Sequence, residues 1–359
     1  MLKKILFSLF IVALSLSLVA CGKKVSKEEY DAIVAELEAK KAELDAKNDE
    51  LAQKNAEIEE LKNPTRTYKH DGVYTAFEHS LNNNAPQIVS VSVTIENDEI
   101  AGFFIDTLQS TAVKNGEETT GYNFNAKTKK QLGYHYYMFP ASGKKVDGVL
   151  DVEAYKEWLA ENNKKEWFEQ ANILEQYILE NGVEAIEFDG TKPTNVAGVT
   201  VSAKDYVELA KKAIQNAKDG KLLAVTGYQD DIIWATATID KDGIVSNYLI
   251  DVLQGQGIVD GTFQFKDKSK QELGYEYYMF PESGKKVDDV LDVDAYKEWL
   301  AENNKKEWFE QVAILCAEFE ANGPYNMALD NNKFLSVSGV TISDNKYIQV
   351  LTQVKANVR

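Results

Sequence analysis

GYHYYMFPASGKKVDGVLDVEAYKEWLAENNKKEWFEQ, residues 133–170, recurs almost unchanged as GYEYYMFPESGKKVDDVLDVDAYKEWLAENNKKEWFEQ, residues 274–311. The spacing of 141 residues also carries Asn181-Gly182 onto Asn322-Gly323, Gly198-Val199-Thr200 onto Gly339-Val340-Thr341, and Tyr206 onto Tyr347. Upstream, Ile105–Gln109 matches Ile250–Gln254 at a slightly longer spacing, so the copies differ by small loop insertions. Solenoids repeat at shorter periods and in more copies, so a period this long in two copies marks a duplicated globular domain. The repeats are expected over residues 65–219 and 220–359.

Within a copy, Val89, Val91, Val93 and Ile95 alternate with Ser90, Ser92 and Thr94, the period of a half-buried strand. Asn97-Asp98 turns that strand into another, Ile100–Leu108. Ile233, Ala235, Ala237 and Ile239 repeat the pattern, with a turn at Asp240–Gly243. Helices are expected over Ala154–Glu161 and Lys165–Asn181, the latter closed by Gly182. A short strand, Gly198–Val201, should lead into a last helix capped by Ser202 and Asp205, with Val207, Ala210, Ile214 and Ala217 as its apolar stripe. The class is α+β: two tandem duplicated domains, each an antiparallel sheet with packed helices, preceded by a long N-terminal helix.

Composition narrows the function. The 359 residues carry 40 Lys plus Arg against 57 Asp plus Glu, a net charge of −17 that repels phosphate backbones and argues against nucleic acid as partner. Cys21 and Cys316 lie in unlike settings, which excludes a disulfide framework. His70, His79 and His135 show no metal-ligand spacing, so no metal is expected. Cys316, within VAILCAEF, is expected to be a buried inert thiol.

Residues 1–20, MLKKILFSLFIVALSLSLVA, combine Lys3 and Lys4 with an apolar run too short to span a bilayer, the pattern of a secretory signal. Ser26–Lys62 contains no Gly or Pro and repeats Tyr30, Leu37, Leu44, Leu51 and Ile58 every seven residues, so residues 26–63 are expected to form a helical stalk. The opposite seam positions, Val34, Lys41, Asn48 and Asn55, are mostly polar. Two readings stand: a parallel coiled-coil homodimer, or a solitary charged helix held by pairs such as Glu36 with Lys40 and Glu50 with Lys54. Asn63 and Pro64 end it.

Two resemblances add to this reading. Leu18-Val19-Ala20-Cys21-Gly22 resembles the lipobox of bacterial lipoproteins, which implies cleavage before Cys21 and a diacylglyceryl anchor on its sulfur, with residues 21–25 as the anchored start. That places the protein at the bacterial surface or envelope, outside the cytoplasm. Each repeat resembles the extracytoplasmic FMN-binding domain of flavinylated surface lipoproteins and of periplasmic subunits of sodium-translocating and Rnf-type complexes. The residues that carry this are Asp71-Gly72-Val73-Tyr74, Lys127–Tyr134, Lys165–Gln170 and the turn Ala197–Ser202. The resemblance implies FMN joined by a phosphoester to the last threonine of a D-x-x-S-G-A-T pattern. The corresponding positions are Thr200 and Thr341, with Gly198, Gly339, Ser202 and Ser343 beside them as cofactor-binding residues. Glycine there admits a phosphate, and a following helix offers free amides. The sequence departs from the pattern: Thr194 and Leu335 hold the aspartate positions, and Val199 and Val340 replace alanine.

The function so implied is electron transfer from a membrane dehydrogenase to an external acceptor, with flavin on Thr200, Thr341 or both. The alternative is a noncatalytic ligand- or partner-binding lipoprotein that has lost flavin attachment. The aromatic cluster of Tyr134, Tyr136, Tyr137, Phe139, Trp158 and Trp167, repeated in the second copy, could stack on a flat ligand or form a core, and one of Tyr136 and Tyr137 is expected to be exposed. Ser142–Asn163 resembles an insertion and is a candidate partner surface. No nucleophile elbow, H-E-x-x-H pair or P-loop occurs, which argues against a self-contained enzyme. Asp106 and Asp251 end matching strands, where a solvated position is expected.

Overall fold

The computed structural model describes residues 26–62 and 66–359. The signal segment and Cys21 lie outside the described residues. Two compact units result, one holding the stalk and the other beginning at Arg66.

Helix α1, Lys27–Lys62, opens on a reciprocal cap in which the Glu29 amide donates to Ser26 Oγ at 3.2 Å and the Ser26 amide donates to Glu29 Oε2 at 3.0 Å. At 1.5 Å per residue, its 36 residues span roughly 54 Å. Glu50 pairs with Lys54 at 2.9 Å as expected, and Glu43 pairs with Lys47 at 3.2 Å in place of Glu36 with Lys40. Tyr30, Leu44 and Leu51 stand exposed along the seam.

The first repeat opens with β1 (Gly72–Asn82), β2 (Ala85–Glu96), β3 (Glu99–Asn115) and β4 (Glu118–Phe124), an antiparallel sheet in that order. Asn83-Asn84 and Asn97-Asp98 take positive φ at both central residues, which matches strand twist in two-residue hairpins. Tyr74 pairs with Val93 and Ala76 with Val91, and this face is buried under helices. Each buried Val or Ile here contributes roughly 1.5–3 kcal/mol of burial. Next come α2 (Lys129–Leu132), β5 (Lys145–Val146), β6 (Val149–Leu150), α3 (Val152–Glu161) and α4 (Trp167–Asn181). After them follow β7 (Phe188–Asp189), β8 (Lys192–Pro193) and α5 (Lys204–Asp219).

The second repeat runs β9 (Lys221–Tyr228), β10 (Asp231–Ile239), β11 (Val245–Leu253), β12 (Gly255–Val259), β13 (Thr262–Phe265) and α6 (Lys270–Leu273). It continues with β14 (Lys286–Val287), β15 (Val290–Leu291), α7 (Val293–Glu302), α8 (Trp308–Asn322), β16 (Leu329–Asp330), β17 (Lys333–Phe334) and α9 (Tyr347–Ala356). Its sheet has the order β11-β10-β9, with β12-β13 as a separate ribbon. The class is α+β.

The opposite faces of the two sheets meet. Phe77 of β1 lies 5.6 Å from Trp234 of β10, ring centre to ring centre. The Val73 amide donates to the Asn357 carbonyl at 2.7 Å, Gly72 bridges Val358, and the Phe124 amide donates to the Gln229 carbonyl at 2.7 Å. On the other flank, Asn84 accepts from the Phe263 amide at 2.9 Å and donates to the Gly261 carbonyl at 3.0 Å. One continuous buried cluster runs through both repeats.

Three local expectations are corrected. Gly198–Val201 is a turn rather than a strand: the Val199 amide bonds the Val196 carbonyl at 3.3 Å, and the Thr200 and Val201 amides are taken by a side chain. Ser202 does not cap the last helix: its hydroxyl accepts from Thr191 Oγ1 at 2.9 Å, and α5 starts at Lys204 after Ala203. Helix α4 starts at Trp167 because Glu166, in extended backbone, caps it.

Candidate functional site

The two threonine turns are built alike. Gly198 and Gly339 hold φ of +86° and +83°, where a side chain is strained. Beneath the first turn lies Gln170, 1% exposed, whose Oε1 accepts from the Thr200 amide at 2.7 Å, Thr200 Oγ1 at 3.1 Å and the Val201 amide at 3.2 Å. Its Nε2 donates to the Lys165 carbonyl at 2.8 Å. Gln311 repeats this on Thr341 at 2.7 and 3.2 Å and on the Ile342 amide at 3.2 Å. Ser202 is exposed and bound to Thr191, and Ser343 bridges Lys333. The turn therefore brings Gly198 and Thr200 together and leaves Ser202 outside the cradle.

This arrangement does not fit a phosphate. The amides and the hydroxyl that would face one already share a neutral amide oxygen from the chain's own glutamine, and no basic side chain bonds the threonine hydroxyl. Thr194 bonds the Glu187 carbonyl through both its amide and its hydroxyl, and Leu335 stands 66% exposed.

The aromatic residues form a framework around a buried acid. Glu166 is fully buried; its Oε2 accepts from Tyr155 Oη at 2.6 Å and the Met138 amide at 3.0 Å, and its Oε1 from the Trp167 amide at 2.7 Å. Glu307 and Tyr296 match it at 2.5 Å. Tyr136 and Tyr137 are both half-buried, which corrects the expected exposure of one. Tyr137, in left-handed backbone at φ 55°, turns its ring to Tyr155 at 4.9 Å, while Tyr136 faces Trp167 at 6.5 Å. The ammonium of Lys129 sits 5.0 Å from the ring centres of both Tyr136 and Trp167, and Lys270 repeats this on Tyr277 and Trp308 at 4.7 and 5.2 Å. Burial lowers the Lys129 pKa to about 8 against the opposing pull of Asp106 and Glu166, and lowers that of Lys270 as well.

Asp106 and Asp251 are 6% and 7% exposed, which corrects the expected solvated strand ends. Asp106 accepts from the neighbouring Thr107 amide at 2.8 Å and from the Lys130 amide, free at the opening of α2, at 3.1 Å. Burial raises both carboxyls. Beside it Lys130 pairs with Glu175 at 2.5 Å in a largely buried position. In the second repeat the same two places hold Gln271, bonded to the Ile250 carbonyl at 2.8 Å, and Cys316, whose thiol burial pushes up to about 12.

Two clefts flank the sheet-to-sheet contact. One, about 720 Å³, is lined by Phe77 and His79 of β1 and by Trp234, Asp251, Phe265 and Lys266 of the second repeat. The other, about 410 Å³, is lined by Thr75, Ser90, Ser92 and Asp106 of the first repeat and by Thr226 and Lys346 of the second. The ladders make the two comparable: Trp234 pairs with Asp251 as Ser90 pairs with Asp106. Glu166, Gln170 and Lys129 escaped the site reading although the 141-residue spacing repeats all three; Trp234 gave no such signal, since its counterpart is a serine.

No family model matches the chain, and no curated protein matches it. A solution NMR structure of a protein from Clostridium thermocellum is similar at 21% identity over 41% of this chain and 92% of that chain, with a TM-score of 0.24. Among the described residues, no helix is long and apolar enough to cross a membrane.

Proposed function

We propose that this chain is an extracytoplasmic lipoprotein, anchored through Cys21, whose two FMN-binding-like repeats form a binding module that does not carry flavin. The observation that supports this is the occupation of both threonine turns by Gln170 and Gln311. A phosphoester at Thr200 would remove the hydroxyl donor to Gln170, a bond worth about 1 kcal/mol, and would find the Thr200 and Val201 amides already committed to that glutamine rather than free for a phosphate. The stalk, with Leu44 and Leu51 exposed on one seam, suits a parallel homodimer.

The electron-carrier reading, with Thr200 and Thr341 as attachment points between a membrane dehydrogenase and an external acceptor, has in its favour that both residues are exposed. Expression of the full chain in an exporting host that flavinylates a control domain separates the two. A colourless protein of unmodified mass is expected. A flavin spectrum with a matching mass increase, lost in Thr200→Ala or Thr341→Ala, overturns the binding-module reading.

A further inference from the structure

We propose that the larger cleft between the repeats is a binding site for a small organic cation with an apolar or aromatic body, seated against Trp234, Phe77 and Phe265 beside the carboxylates of Asp251 and Asp267. The proposal rests on the binding-module reading and names its ligand class.

Size comes first. A cleft of about 720 Å³ lies within the range of small-molecule sites. Phe77, Trp234 and Phe265 are half-buried and His79 is exposed, so ring faces remain to be covered: Phe77 and Trp234 meet at 51° rather than stacking flat, and His79 meets Phe265 edge-on at 4.8 Å. Ring faces carry negative charge density, which attracts cations.

Charge decides the sign of the ligand. Asp251, Asp267 and Glu272 line the cleft against one ammonium, Lys266, which donates to Gln254 Oε1 at 2.9 Å; Asp251 takes the Val252 and Gln271 amides and Glu272 the Ser269 amide, so the exposed Asp267 is the carboxylate placed to meet a ligand cation. Burial lowers the pKa of His79, so its imidazole is neutral at pH 7 and adds no positive charge. The chain as a whole, at −17, repels anions.

The sister cleft is the internal control. Equivalent ladder positions hold Ser90 for Trp234, and a spacing of 141 residues sets Asn125 against Lys266, Ala126 against Asp267 and Gln131 against Glu272. There Phe124 rests on the bare backbone of Gly227, where a Cβ would overlap its ring, and Gly227 is the β9 counterpart of His79. Duplication thus supplied two clefts: the sister keeps one ring, Phe104, and one acid, Asp106, whereas the larger is lined by Phe77, Trp234, Phe263 and Phe265 with Asp251, Asp267 and Glu272.

The test titrates the full chain, in a neutral detergent, with benzyltrimethylammonium, benzoate, benzyl alcohol and chitotriose, read by calorimetry and tryptophan emission. Saturable binding of the cation is expected, at least about tenfold tighter than benzoate or benzyl alcohol. Trp234→Ala should weaken it about tenfold and Asp267→Asn about threefold, whereas Trp234→Phe, which keeps the sheet packing, should stay within about threefold and Ser90→Ala should change nothing. Absence of saturable cation binding, equal binding of cation and benzoate, or cation binding untouched by Trp234→Ala overturns the proposal. Chitotriose binding lost in Trp234→Ala also overturns the cation assignment while leaving the binding module standing; a flavin adduct on either threonine overturns the module itself.

Discussion

Glu166 shows how a single buried charge organises a repeat. Its carboxylate caps α4, holds the Met138 amide and takes the Tyr155 hydroxyl, so removing any donor leaves part of a charge unpaired. Tyr155→Phe is therefore expected to cost about 1.5–3 kcal/mol, read as a lower denaturation midpoint, and Tyr296→Phe should do the same in the second copy. Lys129 makes the opposite kind of statement. Its folded pKa, about 8, lies below the ordinary 10.5, so between these values the unfolded chain binds the extra proton and stability rises with pH. Lys129→Met should flatten that rise between pH 8 and 10.5 in denaturant titrations, leaving the part due to Lys270 and Lys346, whose pKa values burial also lowers. A sequence shows Lys129 as one more lysine in a KTK run, because burial is a property of the fold around it.

Among the elements, the strands were the most legible. Alternation at Val89–Ile95 gave the buried face, and Asn97-Asp98 gave the turn, since both are local consequences of pleat and twist. The turn before the last helix was the least legible. Ser202 and Asp205 have capping-box spacing, yet the partner of that backbone comes from Gln170, thirty residues earlier on α4. No local pattern encodes that long-range bond. The serine face of β2 likewise resembles a solvent face and instead looks toward the other repeat. Strand β9 offers the test: Gly227→Ala, whose Cβ would overlap Phe124, should destabilise by about 1–3 kcal/mol, while Gly102→Ala, with nothing within 4 Å, should stay within about 0.5 kcal/mol.

In the whole molecule, duplication was evident from sequence, but the intimacy of the copies was not, because sheet-to-sheet contact uses residues that differ between them. Phe77 meets Trp234, Phe124 meets Gly227, and Asn84 clasps β13. With the core continuous through both repeats, calorimetry of the full chain should show residues 66–359 melting in one transition rather than two. The buried pair of Lys130 and Glu175 bears on inheritance as well. The near-identical stretches 133–170 and 274–311 invite crossing-over between the gene's two halves, and the pair straddles that stretch. A crossover that shortens the gene joins Lys130 to Cys316, and its reciprocal joins Gln271 to Glu175, so either recombinant buries a charge without its partner at a cost of about 3–5 kcal/mol. The mismatch makes the fold itself a proofreader of its own repeat number.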